Sequence, residues 1–238
     1  MVLVSMNDLL DNAKRDCYAV GYFESWNLES TQAVIDAAVE TESPVIIGFG
    51  GYFGISLESI RFCASIGKAA AKKARVPVAL LFNEAKDFCQ IIEAIRCGFN
   101  AVMMDTSGLP LKKNIEKTKK IVEIAHSVGV SVEAELGELP SAKKGIFEGR
   151  FEGTMLTDPE EARSFVAKTG VDALAVSIGN IHLLYEVEAK IDLNRLERIG
   201  KAVDVPLVIH GGSGFPDNLV KEAIRLGACK FNVGTVLV

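Results

Sequence analysis

Short apolar runs alternate with segments of helical periodicity along the whole chain. The runs are 18–23 (YAVGYF), 44–49 (PVIIGF), 76–82 (VPVALLF), 101–105 (AVMMD), 131–136 (SVEAEL), 173–179 (ALAVSIG), 206–210 (PLVIH) and 230–233 (KFNV). Most are near-continuous in apolar character rather than strictly alternating, the pattern of parallel strands covered on both faces. Between them, Leu28, Thr31, Val34, Ile35 and Ala38 mark one face of a first helix, and Ile91, Ile92 and Ile95 mark another. Thr157-Asp158-Pro159-Glu160 reads as a capping box with proline in the first turn, and Gly170 stands where that helix would stop. Ser5 to Asp8 reads as the cap of a short helix that plugs a barrel floor. Eight strand–helix repeats predict a (β/α)8 TIM barrel, one domain over residues 1–238, with a doubly wound sheet as the alternative. The eighth strand ends near Val233 and the chain at Val238, so no eighth helix fits. Either a neighbouring chain covers the face left open, which would make a homo-oligomer, or the sequence is cut short; truncation is the preferred expectation.

Composition narrows the class. Hydrophobic residues make up 49% and aromatics 7%, which suits aliphatic strands wrapped by helices. The formal net charge of −5 and the lack of a basic run argue against a nucleic-acid partner. No apolar stretch approaches the roughly 20 residues of a membrane span, and the first residues lack a signal-peptide pattern. The cysteines, 5 in number, have no metal-type spacing, so reduced thiols and a cytoplasmic location are expected.

Chemistry concentrates at the predicted strand ends. Strand five carries Glu133 and Glu135, strand six ends in Ile178-Gly179-Asn180-Ile181-His182, strand seven in His210-Gly211-Gly212-Ser213-Gly214, and strand eight in Asn232-Val233-Gly234-Thr235. Loops after the last two strands of such barrels often bind phosphate, because glycines let backbone N–H groups face an anion. The competing reading of GGSG is a tight turn and nothing more.

Taken in order with YAVGYF, SPVII, VPVAL, VMMD, SVEAELG, LTDPEEA, TGVDALAVSIG and VPLVIHGGSG, these stretches resemble the class II, metal-dependent ketose-bisphosphate aldolases, the fructose- and tagatose-bisphosphate group. The resemblance covers nearly the whole chain. It implies a lyase that acts on a phosphorylated ketose through a metal-stabilised enediolate. It also implies a zinc-type divalent metal on His182 and His210, and a substrate phosphate and dihydroxyacetone end held by Gly211, Gly212, Ser213, Gly214, Asn232, Gly234 and Thr235.

The third metal histidine and the acid/base aspartate of that family belong to an Asp-His-Gly motif after strand three, where this chain reads Asn83-Glu84-Ala85. An amide cannot exchange a proton in the working range. Further departures are Glu24 for asparagine, Gly50 for serine, Leu183 for glycine and Glu186 for lysine. The loop at 139–144 differs too, leaving Glu138 and Glu148 near an unmatched proton-shuttling glutamate.

Two histidines with a carboxylate form an established metal set, so Glu84 and Glu135 join His182 and His210 as candidate ligands. No catalytic residue is assigned. Glu24 and Glu84 would raise one another's pKa if they met at the barrel mouth; the plainer expectation for each is solvent or a lysine partner. His126 is expected at the surface, Asp105 and Ser107 as orienting groups, and Tyr22 and Trp26 as packing or cavity wall. Losing the Asp-His pair keeps a second class of function open, a non-catalytic sugar-phosphate-binding barrel or partner subunit. The departures near Phe23, Gly50 and Leu183, which the resemblance places at the far end of the substrate and its remote phosphate, make fructose bisphosphate a poor expected substrate.

Overall fold

The computed structural model describes residues 3–50, 55–142, 156–184 and 189–237. Eight parallel strands close into a barrel in sequential order: β1 (Val20–Glu24), β2 (Val45–Gly50), β3 (Val78–Ala85), β4 (Ala101–Met104), β5 (Ser131–Leu136), β6 (Ala173–Val176), β7 (Leu207–Ile209) and β8 (Ala228–Val233). The doubly wound alternative is excluded by this closure. Helices α2 (Leu28–Glu40), α3 (Leu57–Lys73), α4 (Phe88–Cys97), α5 (Leu111–His126), α6 (Pro159–Thr169), α7 (Leu193–Ala202) and α8 (Asp217–Arg225) connect successive strands, and α1 (Met6–Asp16) precedes them. After β8 the described residues form a short 3-10 turn, Thr235–Leu237.

Helix α1 is the floor plug. Ser5 caps it through Asn7 N–H, and Met6, Leu9, Leu10 and Ala13 bury against inward residues such as Ile46, Leu81, Met103 and Val208. A second core packs the outer strand faces on the helices. Strand side chains alternate between these two cores, since successive Cβ atoms point to opposite faces. Above Met103 and Val208, the inward positions turn polar.

Several expected boundaries shift. The cap of α6 is Asp158, whose side chain accepts from the N–H groups of Glu160 and Glu161, with Pro159 at the first helical position and Gly170 left-handed at the end. Thr157 instead hydrogen-bonds the Leu136 carbonyl, joining the loop to β5. Leu28 is 60% exposed because the buried stripe of α2 runs through Thr31, Ile35 and Ala38. Likewise Ile92 is exposed while Ile91 is buried. Strand β6 stops at Val176 and β7 at Ile209, so Ile178 to His182 and His210 sit in the connecting loops at the barrel's C-terminal face.

Candidate active site

Two glycines on β2 shape the interior near this face. A Cβ on Gly48 would lie 1.9 Å from the Tyr22 ring, and one on Gly50 would lie 2.8 Å from Glu24 Oε1. The inward space of β2 is thus filled by side chains from β1. Tyr22 donates its hydroxyl to Glu24 Oε2, and the Gly50 backbone N–H bonds the same carboxyl. Burial raises the Glu24 pKa to about 7, the nearby Glu84 charge adds to it, and the Tyr22 and Gly50 hydrogen bonds and the Lys230 charge act in the other direction.

Strand β3 ends in an irregular register between Phe82 and Ala85. Asn83 faces inward in regular alternation. Glu84 would face outward, but its φ of +51° turns the backbone and brings it to the cavity as well. A left-handed non-glycine residue is a strained arrangement of the kind found at functional sites. Asn83 Nδ2 donates to Glu84 Oε1 at 3.2 Å, which leaves Asn83 Oδ1 as a buried acceptor without a partner.

His182 is held by its backbone, with its N–H on the Pro140 carbonyl and its carbonyl accepting from Ala142 N–H. Leu183 follows with φ +58°. This is a conformation suited to glycine, the residue the family resemblance leads one to expect there. His210 is 1% exposed; its Nε2 meets Glu133 Oε1 at 2.8 Å, and Asn180 Nδ2 bonds its carbonyl at 2.9 Å. Glu133 also pairs with Lys230 Nζ at 2.8 Å, and Lys230 bonds Asn232 Oδ1 at 2.6 Å while lying 4.6 Å from the Tyr22 ring centre.

Glu84, His182 and His210 offer ligand atoms that all lie within 4.8 Å of one another. Glu84 Oε1 is 3.6 Å from His210 Nδ1 and Glu135 Oε2 is 3.1 Å from it, yet among the described residues Nδ1 makes no aligned hydrogen bond. A tetrahedral shell at about 2.1 Å places ligand atoms roughly 3.4 Å apart, close to the 3.6 Å between Glu84 and His210, with His182 within 4.8 Å of both. Charge agrees: the carboxylates of Glu84, Glu133 and Glu135 face His210, with Lys230 the one ammonium among these contacts. A divalent cation makes up that deficit. Burial alone would lower the His210 pKa, but the Glu133 hydrogen bond and the Glu135 carboxylate 3.1 Å from Nδ1 override it and hold the imidazole up at about 10. Glu133 stays depressed despite burial because Lys230 and His210 face it.

The cavity over these groups measures about 730 Å³. Its other wall carries Gly211, Ser213, Asn232, Gly234 and Thr235. Gly211 is left-handed (φ +67°), and a Cβ there would meet the Ile181 carbonyl at 2.4 Å. Val236 N–H donates to Ser213 Oγ at 3.3 Å, tying the two loops together. Asn232 Nδ2 is buried without a partner. Gly212 and Gly214 do not line the cavity: a Cβ on Gly212 would meet the Asn232 carbonyl at 2.7 Å, and one on Gly214 the Leu184 side chain at 2.8 Å. Their small size serves packing.

Glu24 and Glu84 do not point to solvent or pair with lysine as the plainer expectation had it; both border the cavity, and Tyr22 and Trp26 wall it. Asp105 is exposed and takes Ser107 Oγ at 3.0 Å. A smaller cavity of about 170 Å³ beside the ligand cluster includes Asp105, Glu135, Glu138 and His182. His126 lies on the surface against Asp172 at 2.8 Å. Glu148 and Glu186 lie outside the described residues. Lys230 and Glu133 carry no motif that marks them as site residues. The available signal was parity: a lysine two positions before an inward Asn232, and a glutamate two before Glu135, share the barrel interior.

The profile of the family described as fructose-bisphosphate aldolase class-II matches residues 4–238. A probable fructose-bisphosphate aldolase of Bacillus subtilis is 40% identical over 237 residues, covering 99% of this chain and 82% of that protein. The fructose-bisphosphate aldolase of Staphylococcus aureus is 38% identical over 245 residues with the same coverage. Among solved structures, the YdjI aldolase from Escherichia coli K12 superposes with a TM-score of 0.84 at 36% identity, covering 98% of this chain and 82% of that one. A putative fructose-1,6-bisphosphate aldolase from Coccidioides immitis does so at 0.84 and 30%, covering 96% and 80%. A match this continuous, over a barrel whose last three strand ends keep the histidine and glycine pattern, leaves one assignment: the chain belongs to the class II fructose-bisphosphate aldolase family.

Proposed function

We propose that the protein is a metal-dependent lyase that cleaves, and in reverse forms, a carbon–carbon bond of a phosphorylated ketose. The observation that carries this reading is the gathering of Glu84, His182 and His210, whose ligand atoms lie within 4.8 Å of one another, beneath a cavity of about 730 Å³. Glu84, His182 and His210 would hold the metal, which we take to be zinc, with Glu135 beside His210 as a further carboxylate. When bound, the ion supplies Lewis-acid stabilisation for negative charge developing on the substrate's oxygens.

The chain's own groups do the rest. Gly211, Ser213, Gly234 and Thr235 form the anion-binding wall, with Gly212 and Gly214 allowing the close packing that sets its shape. Asn232 Nδ2 and Asn83 Oδ1 are a buried donor and a buried acceptor, each lacking a protein partner, and they suit hydroxyl or carbonyl oxygens of a sugar. Glu133 accepts the other ring nitrogen of His210, which fixes the imidazole so that Nδ1 faces the cavity.

The carboxylates of Glu24 and Glu84 border the cavity, and Leu183 stands there where the family resemblance leads one to expect glycine. A second phosphate far from the glycine wall is therefore disfavoured, and fructose 1,6-bisphosphate should turn over poorly. We further read the protein as a homo-oligomer of the cytoplasm. Its half-buried Phe23 and Phe231 on the neighbouring strands β1 and β8, and its unpaired cysteines, support that reading. Among the described residues no helix is long and apolar enough to cross a membrane.

The test is metal analysis of protein purified without chelator, joined to release of triose phosphate from ketose 1-phosphates and 1,6-bisphosphates. Stoichiometric divalent metal is expected, lost in His182→Ala and His210→Ala, with cleavage that chelation abolishes and zinc, manganese or cobalt restores. Absence of metal with no rescue by those ions would sink the reading. Sugar-phosphate binding under those conditions would leave a non-catalytic barrel.

A further inference from the structure

Cleavage next to a hydroxyl-bearing carbon needs a base for that hydroxyl's proton, and condensation needs the corresponding acid. Asn83 stands where the related motif has an aspartate and cannot serve. Among the described side chains bordering the cavity, the ionisable ones are Tyr22, Glu24, Glu84, His182 and His210. Glu84, His182 and His210 converge as the metal cluster. Tyr22 is 1% exposed and spends its hydroxyl proton on Glu24. Glu24 is what remains.

Its placement answers the loss at Asn83. Glu24 pairs with Gly48 in the β1–β2 register, and Gly50, two residues on, pairs with Asn83 in the β2–β3 register. Any side chain on Gly50 would start 2.8 Å from Glu24 Oε1. The carboxyl from β1 therefore occupies space on β2, next to the strand that lost its aspartate. The departures at positions 24 and 50 form one steric unit, a longer acid on β1 and a glycine to admit it, and the strand paired with Gly50 carries the amide of Asn83.

We propose that Glu24 is the catalytic acid/base of this barrel, taking the substrate's hydroxyl proton in cleavage and returning it in condensation; this rests on the lyase reading above. In cleavage the Glu24 carboxylate accepts the hydroxyl proton and that carbon–oxygen bond becomes a carbonyl. The carbon–carbon bonding pair moves into the ketose carbonyl, giving an enediolate and an aldehyde. Glu24 then passes its proton to solvent, and the enediolate takes one from solvent. Asn83 Oδ1, an acceptor on the adjoining strand without a partner among the described residues, is placed to accept from a different hydroxyl of the sugar. Burial, which raises the Glu24 pKa to about 7, supports a carboxyl that can work in both directions near neutrality.

The experiment compares two reactions of the metal-loaded protein, each with dihydroxyacetone phosphate. Deuterium uptake from heavy water reports enediolate formation alone. Condensation with glyceraldehyde, glycolaldehyde or glyceraldehyde 3-phosphate also needs the acid. Glu24→Gln should lower condensation by about 100-fold or more while deuterium uptake and metal content stay within about threefold of wild type. Gly50→Ser, which displaces the carboxyl without removing it, should shift the two reactions apart in the same direction. Condensation by Glu24→Gln within about threefold of wild type overturns the Glu24 assignment alone. So does wild-type protein that exchanges deuterium yet condenses with none of the three aldehydes. Wild-type protein that takes up no deuterium overturns the lyase reading on which the assignment rests.

Discussion

Glu24 carries a stability signature that is separate from its chemistry. Its carboxyl ordinarily ionises near 4.5 and in the fold at about 7, so folding favours the protonated form. The stability this contributes is complete below about pH 4.5 and is lost as pH rises through about 7. Glu24→Gln has no such titration. The variant should therefore gain stability relative to wild type as pH rises from about 4.5 to about 7, by roughly 3 kcal/mol across the window. The groups whose charges bear on this carboxyl are Tyr22, Glu84 and Lys230 on the barrel strands, and the half-buried thiol of Cys63 on α3 lies within its field. Urea unfolding of both proteins at several pH values measures the difference. A difference that does not change with pH would mean that the carboxyl is solvated.

At the scale of elements, β2 is a strand designed around its neighbour. Gly48 and Gly50 leave room that Tyr22 and Glu24 fill, but the two spaces differ in tolerance. A methyl at position 48 meets ring atoms of Tyr22 at 1.9 and 2.0 Å, and the ring is enclosed by the barrel. Overpacking of this kind displaces backbone, so Gly48→Ala should cost about 3 kcal/mol or more in denaturant unfolding. A methyl at position 50 meets only the far end of a flexible carboxylate. Gly50→Ala should cost less than about 1 kcal/mol in the same measurement while moving the carboxyl.

The same scale explains what the sequence could and could not reveal. Alternating apolar runs identified all of the strands, because a strand buried on both faces needs such a run. The gathering of His182, His210, Gly211 and Gly234 follows from their places at strand ends. Glu84 was a candidate by motif position, but regular alternation would face it away from the cavity. Its φ of +51° and the β3 irregularity supply the missing turn, and neither has a glycine or proline to announce it. Glu24 looked like a solvent carboxylate because nothing local shows that Gly50 opens space for it from the next strand.

At the scale of the whole molecule, a buried ionic chain spans the barrel interior. Lys230 of β8 and Glu133 of β5 are both fully enclosed and meet at 2.8 Å, and Glu133 continues to His210 after β7. Burial lowers the lysine's pKa, and the charge and hydrogen bond of Glu133 partly offset this. Such a pair need not raise net stability, because desolvation of both ions opposes their attraction. It fixes the relative placement of β5, β7 and β8, and through them the His210 ring and the Asn232 amide that Lys230 also holds. Lys230→Met leaves Glu133 buried with His210 as its remaining charged partner, so it should cost about 3 to 5 kcal/mol. Neutralising the survivor should recover part of that loss: Lys230→Met/Glu133→Gln is expected to be at least about 1 kcal/mol more stable than Lys230→Met alone. A double-mutant cycle by chemical denaturation gives the coupling. Additive losses would show that the two groups are independently satisfied, and the barrel would then owe the His210 geometry to packing rather than to this charge chain.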